Sequence, residues 1–270
     1  MDSSLSQEIQ NYPVRSSKFR LLGRVVLFAM WSMSAVTLHL IIRWLYPHKK
    51  LYMPMLWHRG CCWIFGLTIH TEGIVHAQTP ILFVSNHVSY LDIIILGGIL
   101  PGSFISKDDV AAWPLFGALA RLQDTLFIER QRHQVCDQLD QMQARLAAGD
   151  NLILFPEGTS SEGTEVLPFK SALFKSVERG SPISVWIQPV SITYQKYAGQ
   201  PMSPEARNGY AWYADMPAVS HMIHMAGLKQ ASICVTLHPA VRGEDFVNRK
   251  TLALHCQTAV AQAVKENLPK

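Results

Sequence analysis

Short apolar runs alternate with helix-length segments from about Thr68 to the C-terminus, and this alternation limits the possible folds more than any other feature. One intervening segment, 133–148, carries apolar side chains at helical spacing. The runs with the length and composition of strands are 81–85, 103–106, 125–129, 151–155, 185–194 and 231–239. Strands that alternate with helices predict an α/β fold, with a mixed, largely parallel sheet flanked by helices.

The amino-terminal part has a different character. Val25 to Ile42 contains no formal charge, and its length is at the short end for crossing a hydrocarbon core of about 30 Å. It is too long for a signal peptide and lacks a small-residue cleavage site. A second apolar stretch, 51–69, follows a basic cluster at 48–50. We predict a membrane-associated helical region over 1–67, either spanning or interfacial, and an α/β domain over 68–270.

Charge and cysteine content restrict the possible partners. The charged fraction is 16%, which is low for a soluble protein and agrees with contact to membrane lipids. The net charge of +4 is modest, and no segment resembles a nucleic-acid-binding face, so we expect no nucleic-acid partner. Five cysteines without CxxC spacing favour neither disulfides nor a zinc site and indicate a reducing compartment.

The turn after the first of these strands contains a histidine and an aspartate. On a uniform helix His87 and Asp92 would point about 140° apart, because a turn takes 3.6 residues. They can meet only if His87 precedes the helix and Asp92 lies in its first turn. Asp92 would then orient the imidazole, whose other nitrogen could act as a base. Alternatively, Asp92 and Ser89 form a capping box that stabilises the helix start.

Polar residues also follow the other strands. Lys107 and Arg130 are placed to bind a phosphate or carboxylate, or they are solvated residues at helix starts. The segment LFPEGTSSEG, 154–163, predicts a tight turn that exposes Glu157 and offers the hydroxyl and N–H groups of Thr159 to Ser161. Ligands of open α/β sheets collect at the carboxyl ends of strands, so these groups point to one crevice.

Taken together, NHVSYLD, FIER, FPEGT and PVSITY occur in this order between Asn86 and Tyr194. They resemble the four blocks of the lysophosphatidic acid acyltransferase family, the glycerolipid acyltransferases with an NHxxxxD signature. The resemblance implies the glycerolipid acyltransferase fold, with His87 as general base and Asp92 as its support. It implies no cofactor and no metal, since acyl-CoA or acyl carrier protein supplies an activated thioester. The implied substrate-binding residues are Asn86, Lys107, Arg130, Glu157, Gly158 and Thr159.

The acceptor lysolipid is left open by two further features. The third block usually reads FPEGTRS in this family, whereas Ser160 stands here at the arginine position and Lys170 is a candidate replacement for that charge. The segment YAWYADM, 210–216, resembles a bacterial branch that includes lyso-ornithine lipid acyltransferases.

Three hypotheses follow from this resemblance. The first is acylation of 1-acylglycerol-3-phosphate to phosphatidic acid in phospholipid biosynthesis, and the second is acylation of lyso-ornithine lipid. The third is an inactive membrane-bound lipid-binding module, which the presence of both His87 and Asp92 disfavours. For an enzyme of this kind we expect the bacterial inner membrane, with the catalytic domain on its cytoplasmic face.

Overall fold

The structure is a computed structural model that describes residues 14–46, 51–113, 115–128 and 135–269. The side chains at 107, 109, 110 and 135–138 are not described. The helices are α1 (Lys18–Leu45), α2 (Tyr52–Phe65), α3 (Leu91–Gly97), α4 (Phe116–Leu122), α5 (Val135–Ala147), α6 (Pro204–Arg207), α7 (Ala218–Ala226) and α8 (Arg249–Asn267). The strands are β1 (Leu67–Glu72), β2 (Ile81–Ser85), β3 (Ser103–Lys107), β4 (Leu126–Ile128), β5 (Leu152–Leu154), β6 (Trp186–Tyr197), β7 (Gln200–Pro201), β8 (Ala231–Leu237) and β9 (Val241–Arg242).

The main sheet has the strand order β1-β8-β6-β2-β5-β3-β4. Strands β6, β2, β5, β3 and β4 run parallel to one another, whereas β8 is antiparallel to β6. The predicted mixed, largely parallel sheet flanked by helices is therefore confirmed. Because β2, β5 and β3 are adjacent and parallel, the residues after them lie along one edge of the sheet.

Both faces of the sheet are buried. In β2, Ile81 and Phe83 face one apolar core, and Leu82 and Val84 face the other. Helices α2, α3 and α7 contribute to the first core, while α5 and α8 contribute to the second. A central strand covered on both sides is uniformly apolar, which explains why ILFVS was recognisable as a strand.

Helix α2 ends at a glycine, and the chain then enters the sheet. Gly66 has a φ of 71°, a left-handed conformation that stops helices. Residues 67–72 form β1, which pairs in parallel with β8. The helical interpretation of the second apolar stretch is thus wrong for residues 67–69, because apolar composition alone does not separate a short helix end from an edge strand. The division of the chain at residue 67 stays a prediction.

Helix α1 lies along the α/β layer and is attached to it at both ends. At its start the Arg24 guanidinium donates to the Leu228 carbonyl at 2.8 Å. Near its end Arg43 pairs with Asp124 at 3.0 Å, and a ring nitrogen of His39 lies 3.1 Å from the Leu122 carbonyl. These contacts hold both ends of the helix against the α/β layer.

The opposite side of α1 is apolar and exposed. The helix has 28 residues, a mean hydropathy of 2.0 in its most apolar window, and only 17% of that window buried. By length and composition it could cross a membrane. Exposed apolar side chains recur along it at helical spacing, namely Leu22, Val26, Met30, Met33, Leu40 and Trp44. This stripe agrees with the predicted membrane association.

Candidate active site

The turn between β2 and α3 is tied to the neighbouring strand by Asn86. Its amide nitrogen donates to the Ile192 carbonyl at 3.0 Å, and its amide oxygen accepts from the Ile192 N–H at 2.8 Å. Strand β6 provides this partner because it continues beyond the end of β2. Asn86 is buried, so its side chain holds the turn in place.

His87 and Asp92 meet in the arrangement that the sequence requires. His87 precedes α3 and Asp92 lies in its first turn. The Nδ1 atom of His87 is 2.9 Å from the Asp92 Oδ2 atom. A proton on Nδ1 satisfies this bond and leaves Nε2 with the lone pair of a base. Asp92 is fully buried, whereas the His87 side chain keeps 17% of its surface exposed.

The Asp92 carboxylate also organises the start of the helix. Its Oδ2 atom accepts from the backbone N–H groups of Val88 at 2.6 Å and Ser89 at 2.9 Å. Its Oδ1 atom accepts from the Tyr194 hydroxyl at 2.9 Å. Asp92 thus both contacts the imidazole and stabilises the helix start, but the predicted capping box is only half formed, because the Ser89 hydroxyl accepts from the Leu91 N–H and not from that of Asp92.

Tyr194 is a site residue that the sequence analysis did not identify. Burial, and then the nearby Asp92 carboxylate, raise the pKa of Tyr194 well above its ordinary value, so its hydroxyl stays protonated and donates. Its place at the end of the fourth block, PVSITY, was the available signal. The contact spans 102 residues of sequence, which local pattern cannot reveal.

The third block holds His87 from the other side. The His87 N–H donates to the Glu157 Oε1 atom at 3.2 Å, and the Ser161 N–H donates to the His87 carbonyl at 2.9 Å. The Phe155 ring stacks on the imidazole, with centroids 4.0 Å apart and planes inclined by 14°. The plane and position of the imidazole are thus set by β5 and the turn that follows it.

Glu157 is buried, and the prediction that the turn exposes it is wrong. The residue is only 2% exposed, and its Oε2 atom has no hydrogen-bond partner among the residues that the structure describes. Burial raises the pKa of Glu157, the hydrogen bonds from the His87 and Leu167 backbone lower it, and Asp92 raises it, with a net value of about 8. The carboxyl group faces inward, towards the backbone of the turn between β2 and α3, called the catalytic turn below.

Of the remaining predicted residues, the structure describes Gly158 and Thr159 in full, but not the side chain of Lys107 and not Arg130. Gly158 has a φ of 70°, and a Cβ atom on it would lie 2.4 Å from the Lys170 Nζ atom, so the lysine ammonium sits against this turn. Thr159 is exposed beside it. The backbone of Lys107 ends β3 at the same sheet edge, but its side chain is not described. Arg130 lies outside the described residues.

Ser160 contacts the segment 210–216, a pairing that sequence reasoning missed. Its hydroxyl donates to the Trp212 carbonyl, and the Trp212 N–H donates to the Val88 carbonyl at 2.9 Å. The indole N–H donates to the Met216 carbonyl at 2.8 Å, which closes the segment on itself. Both stretches were noted in the sequence, but nothing in their spacing predicted that they touch.

Comparison with known proteins identifies the kind of site. A family model described as Acyltransferase matches residues 66–193. The lyso-ornithine lipid O-acyltransferase of Rhodobacter capsulatus is 34% identical over 92% of this chain and 91% of its own length. The chain belongs to the lysophosphatidic acid acyltransferase family. It is an O-acyltransferase that transfers an acyl group to a lysolipid. This family membership disfavours the hypothesis of an inactive lipid-binding module.

Other relatives of the acyltransferase are named for one or the other of the two acceptor lipids. The lyso-ornithine lipid O-acyltransferase of Rhizobium meliloti is 34% identical over 84% of this chain and 80% of that protein. The 1-acyl-sn-glycerol-3-phosphate acyltransferase of Neisseria gonorrhoeae is 30% identical over 63% of each chain. The crystal structure of the acyltransferase PlsC from Thermotoga maritima has a TM-score of 0.63 at 19% identity, covering 92% of this chain and 97% of that chain, which shows the shared fold.

The side chains of the acyltransferase also bear on metal binding. Within the described ranges, no cluster of three or more histidine, cysteine, aspartate or glutamate residues could hold a metal ion. The groups that meet at the sheet edge are an imidazole with its carboxylate, a turn rich in N–H groups, and the Lys170 ammonium. Such a set can move a proton and bind an anion.

Proposed function

We propose that this acyltransferase acylates the hydroxyl of lyso-ornithine lipid. The observation that carries the proposal is the hydrogen bond from Ser160 to Trp212. At the position where the family usually has an arginine, the short serine side chain binds segment 210–216 and lets it lie on the catalytic turn. An arginine at position 160 could not make this short hydrogen bond. The contact supports a headgroup that differs from glycerol phosphate.

In this reaction His87 is the general base. Its Nε2 atom removes the proton of the acceptor hydroxyl, and the resulting oxygen nucleophile attacks the thioester carbonyl. The tetrahedral intermediate collapses, the new ester forms, and the leaving thiolate takes the proton from the imidazolium. Asp92 keeps the imidazole in the required tautomer and orientation. The chain supplies no covalent nucleophile in this scheme, because the thioester is already activated.

The supporting residues either position the catalytic turn or line the acceptor side of the site. Asn86 and Glu157 position the catalytic turn through hydrogen bonds to backbone groups. Gly158, Thr159 and Lys107 line the acceptor side, and Arg130 is proposed to do so from the end of β4. The donor is acyl-CoA or acyl carrier protein thioester, with no further cofactor. Preorganised N–H groups of the turns would stabilise the oxyanion that develops during attack.

The location we propose is the inner membrane, with the catalytic domain on its cytoplasmic face. Helix α1 is hydrogen-bonded to the α/β layer at both ends, so it is suited to lie in the interface rather than to cross the bilayer away from that layer. Cysteines that are buried and free, as expected in a reducing compartment, are Cys61, Cys62, Cys234 and Cys256.

An acceptor assay tests the function. Purified protein is incubated with labelled acyl-CoA or acyl carrier protein thioester and, in parallel, with lyso-ornithine lipid and 1-acylglycerol-3-phosphate. We expect ornithine lipid as the main product. The variant His87→Ala should form neither product, with a loss of at least about 10²-fold, while its thermal unfolding temperature stays near that of the parent. Product formation by this variant would refute the role of His87.

The second candidate is acylation of 1-acylglycerol-3-phosphate. It is favoured by the Lys170 ammonium, which lies against Gly158 and could hold a phosphate without an arginine at position 160. Phosphatidic acid as the main product in the same assay would replace the first proposal with this one.

A further inference from the structure

Arg207 is largely buried, and its Nε atom has no hydrogen-bond partner among the residues that the structure describes. The residue is only 8% exposed, at the end of α6. Its guanidinium makes no hydrogen bond or ion pair with any residue in the described part of the chain, and its Nε atom is enclosed. Burial lowers the pKa of the guanidinium and the nearby Glu162 raises it, but an arginine keeps its charge. A buried arginine nitrogen is usually hydrogen-bonded, so the unpaired Nε–H of Arg207 is a donor that a bound anion could satisfy.

The position of Arg207 connects it to the acceptor side of the site. Its carbonyl accepts from the N–H groups of Tyr210 and Ala211, both at 2.8 Å, so it begins the segment that carries Trp212. Trp212 in turn binds Ser160 and Val88. The arginine therefore stands at the base of a segment that lies directly on the catalytic turn.

Charge supports the same placement. Glu162, the carboxylate that acts on Arg207, lies in the loop that follows FPEGT. The preceding residue, Ser161, donates its N–H to the His87 carbonyl. Glu162 is exposed and forms no direct ion pair with Arg207, although its charge acts on the guanidinium. The unpaired charge thus borders the loop that holds the base.

We propose that Arg207 binds the anionic group of the acceptor headgroup. A guanidinium presents parallel N–H donors that match a carboxylate or a phosphate, and such charge-assisted pairs are short and strong. If the proposed function holds, the anion is the carboxylate of lyso-ornithine lipid. Phosphate of 1-acylglycerol-3-phosphate is the other source of the same chemistry. The guanidinium that binds the anion then comes from the end of α6, instead of from an arginine at position 160.

The test compares Arg207→Gln with the parent, using lyso-ornithine lipid and its methyl ester, which lacks the negative charge. The parent should prefer the acid by about tenfold or more in kcat/KM. Arg207→Gln should raise KM for the acid by a similar factor and leave KM for the thioester and kinetics with the ester nearly unchanged. Its thermal unfolding temperature should stay near that of the parent, because the Arg207 side chain makes no hydrogen bond within the described residues that the substitution would remove.

Arg242→Gln is the matched control. Arg242 pairs with Glu244 at 2.8 Å and lies next to the beginning of β6, away from the edge that carries His87. This variant should keep the preference for the acid. If Arg207→Gln also kept it, the proposal would be overturned. A parent that treats acid and ester alike would overturn it without any variant, including the case in which Arg207→Gln does not fold.

Failure of the proposed function can be told apart from failure of this inference. If the parent acylates only 1-acylglycerol-3-phosphate, the acceptor assignment is wrong, and Arg207→Gln is measured with that phosphate lipid and with neutral monoacylglycerol. A selective rise in KM for the phosphate lipid supports anion binding by Arg207. An unchanged KM contradicts it.

Discussion

At the scale of single residues, Asp92 shows how one carboxylate can serve both chemistry and structure. It accepts from His87, from two backbone N–H groups and from Tyr194, and none of its surface is exposed. An exposed carboxylate could not hold an imidazole so firmly, because water would compete for the same oxygens. Substitution of Asp92 would therefore affect folding as well as catalysis, whereas substitution of the partly exposed His87 isolates the chemistry.

Glu157 predicts a pH dependence of stability. The folded protein has a pKa of about 8 for this carboxyl, against an ordinary value of 4.5. Between these values the unfolded chain binds fewer protons than the folded protein, so this group lowers stability as pH rises, and the loss is complete above about pH 8. Glutamine cannot ionise. Glu157→Gln should therefore gain stability relative to the parent on going from pH 5 to pH 9, by at most about 1.4 kcal/mol per pH unit.

Thermal unfolding of both proteins at pH 5, 7 and 9 in one detergent measures this difference. Below about pH 4.5 the group is protonated in both states and contributes no pH dependence. A difference between parent and variant that is the same at every pH would show that Glu157 is ionised in the folded protein.

At the scale of elements, the turn after β5 combines a backbone constraint at Gly158 with the charge of Lys170. Gly158 and Gly149 both have positive φ, of 70° and 87°, but only Gly158 has Lys170 against the place of a Cβ atom. Alanine at either position should cost about 1 kcal/mol of folding free energy, because the strain is similar and a lysine side chain can move aside. Only Gly158→Ala displaces the ammonium from the turn.

We therefore expect Gly158→Ala to lower kcat/KM for the acceptor by about tenfold, and Gly149→Ala to leave it unchanged. Steady-state kinetics and thermal unfolding of the two variants separate the loss of the charge from the loss of stability. Equal activity in the two variants would mean that the position of Lys170 does not matter.

At the scale of the whole molecule, the exposed stripe on α1 should carry membrane binding. Met33 on α1 is 73% exposed, and Leu254 on α8, which packs on the other face of the sheet, is 62% exposed. Met33→Glu should weaken binding to phosphatidylcholine vesicles by about tenfold or more, since a charge would have to enter the apolar interface. Leu254→Glu is the control and should bind like the parent.

Vesicle flotation with the full chain measures both variants, and neutral lipid removes any effect of charge repulsion. Both substituted side chains are mostly exposed, so thermal unfolding should change little. Equal binding by parent and Met33→Glu would show that α1 is not the membrane-binding surface.

The sequence by itself determined the features that depend on neighbouring residues. Apolar runs of strand length predicted β2 with its observed bounds, and the alternation with helices predicted the sheet class. The spacing of His87 and Asp92 required a turn followed by a helix start, as the structure has it. These features could be read because strand and helix periods, and the geometry of a helix start, are local.

Only the tertiary structure decided what each polar group touches. The partners of Asn86, Asp92 and Ser160 lie 106, 102 and 52 residues away, and the inward direction of Glu157 depends on strands that are distant in sequence. Arg207 attracted no notice in the sequence, because a lone arginine is usually solvated. It became informative when the fold enclosed its Nε atom without a partner among the described residues, since the free energy of a polar group depends on its surroundings and not on its place in the chain.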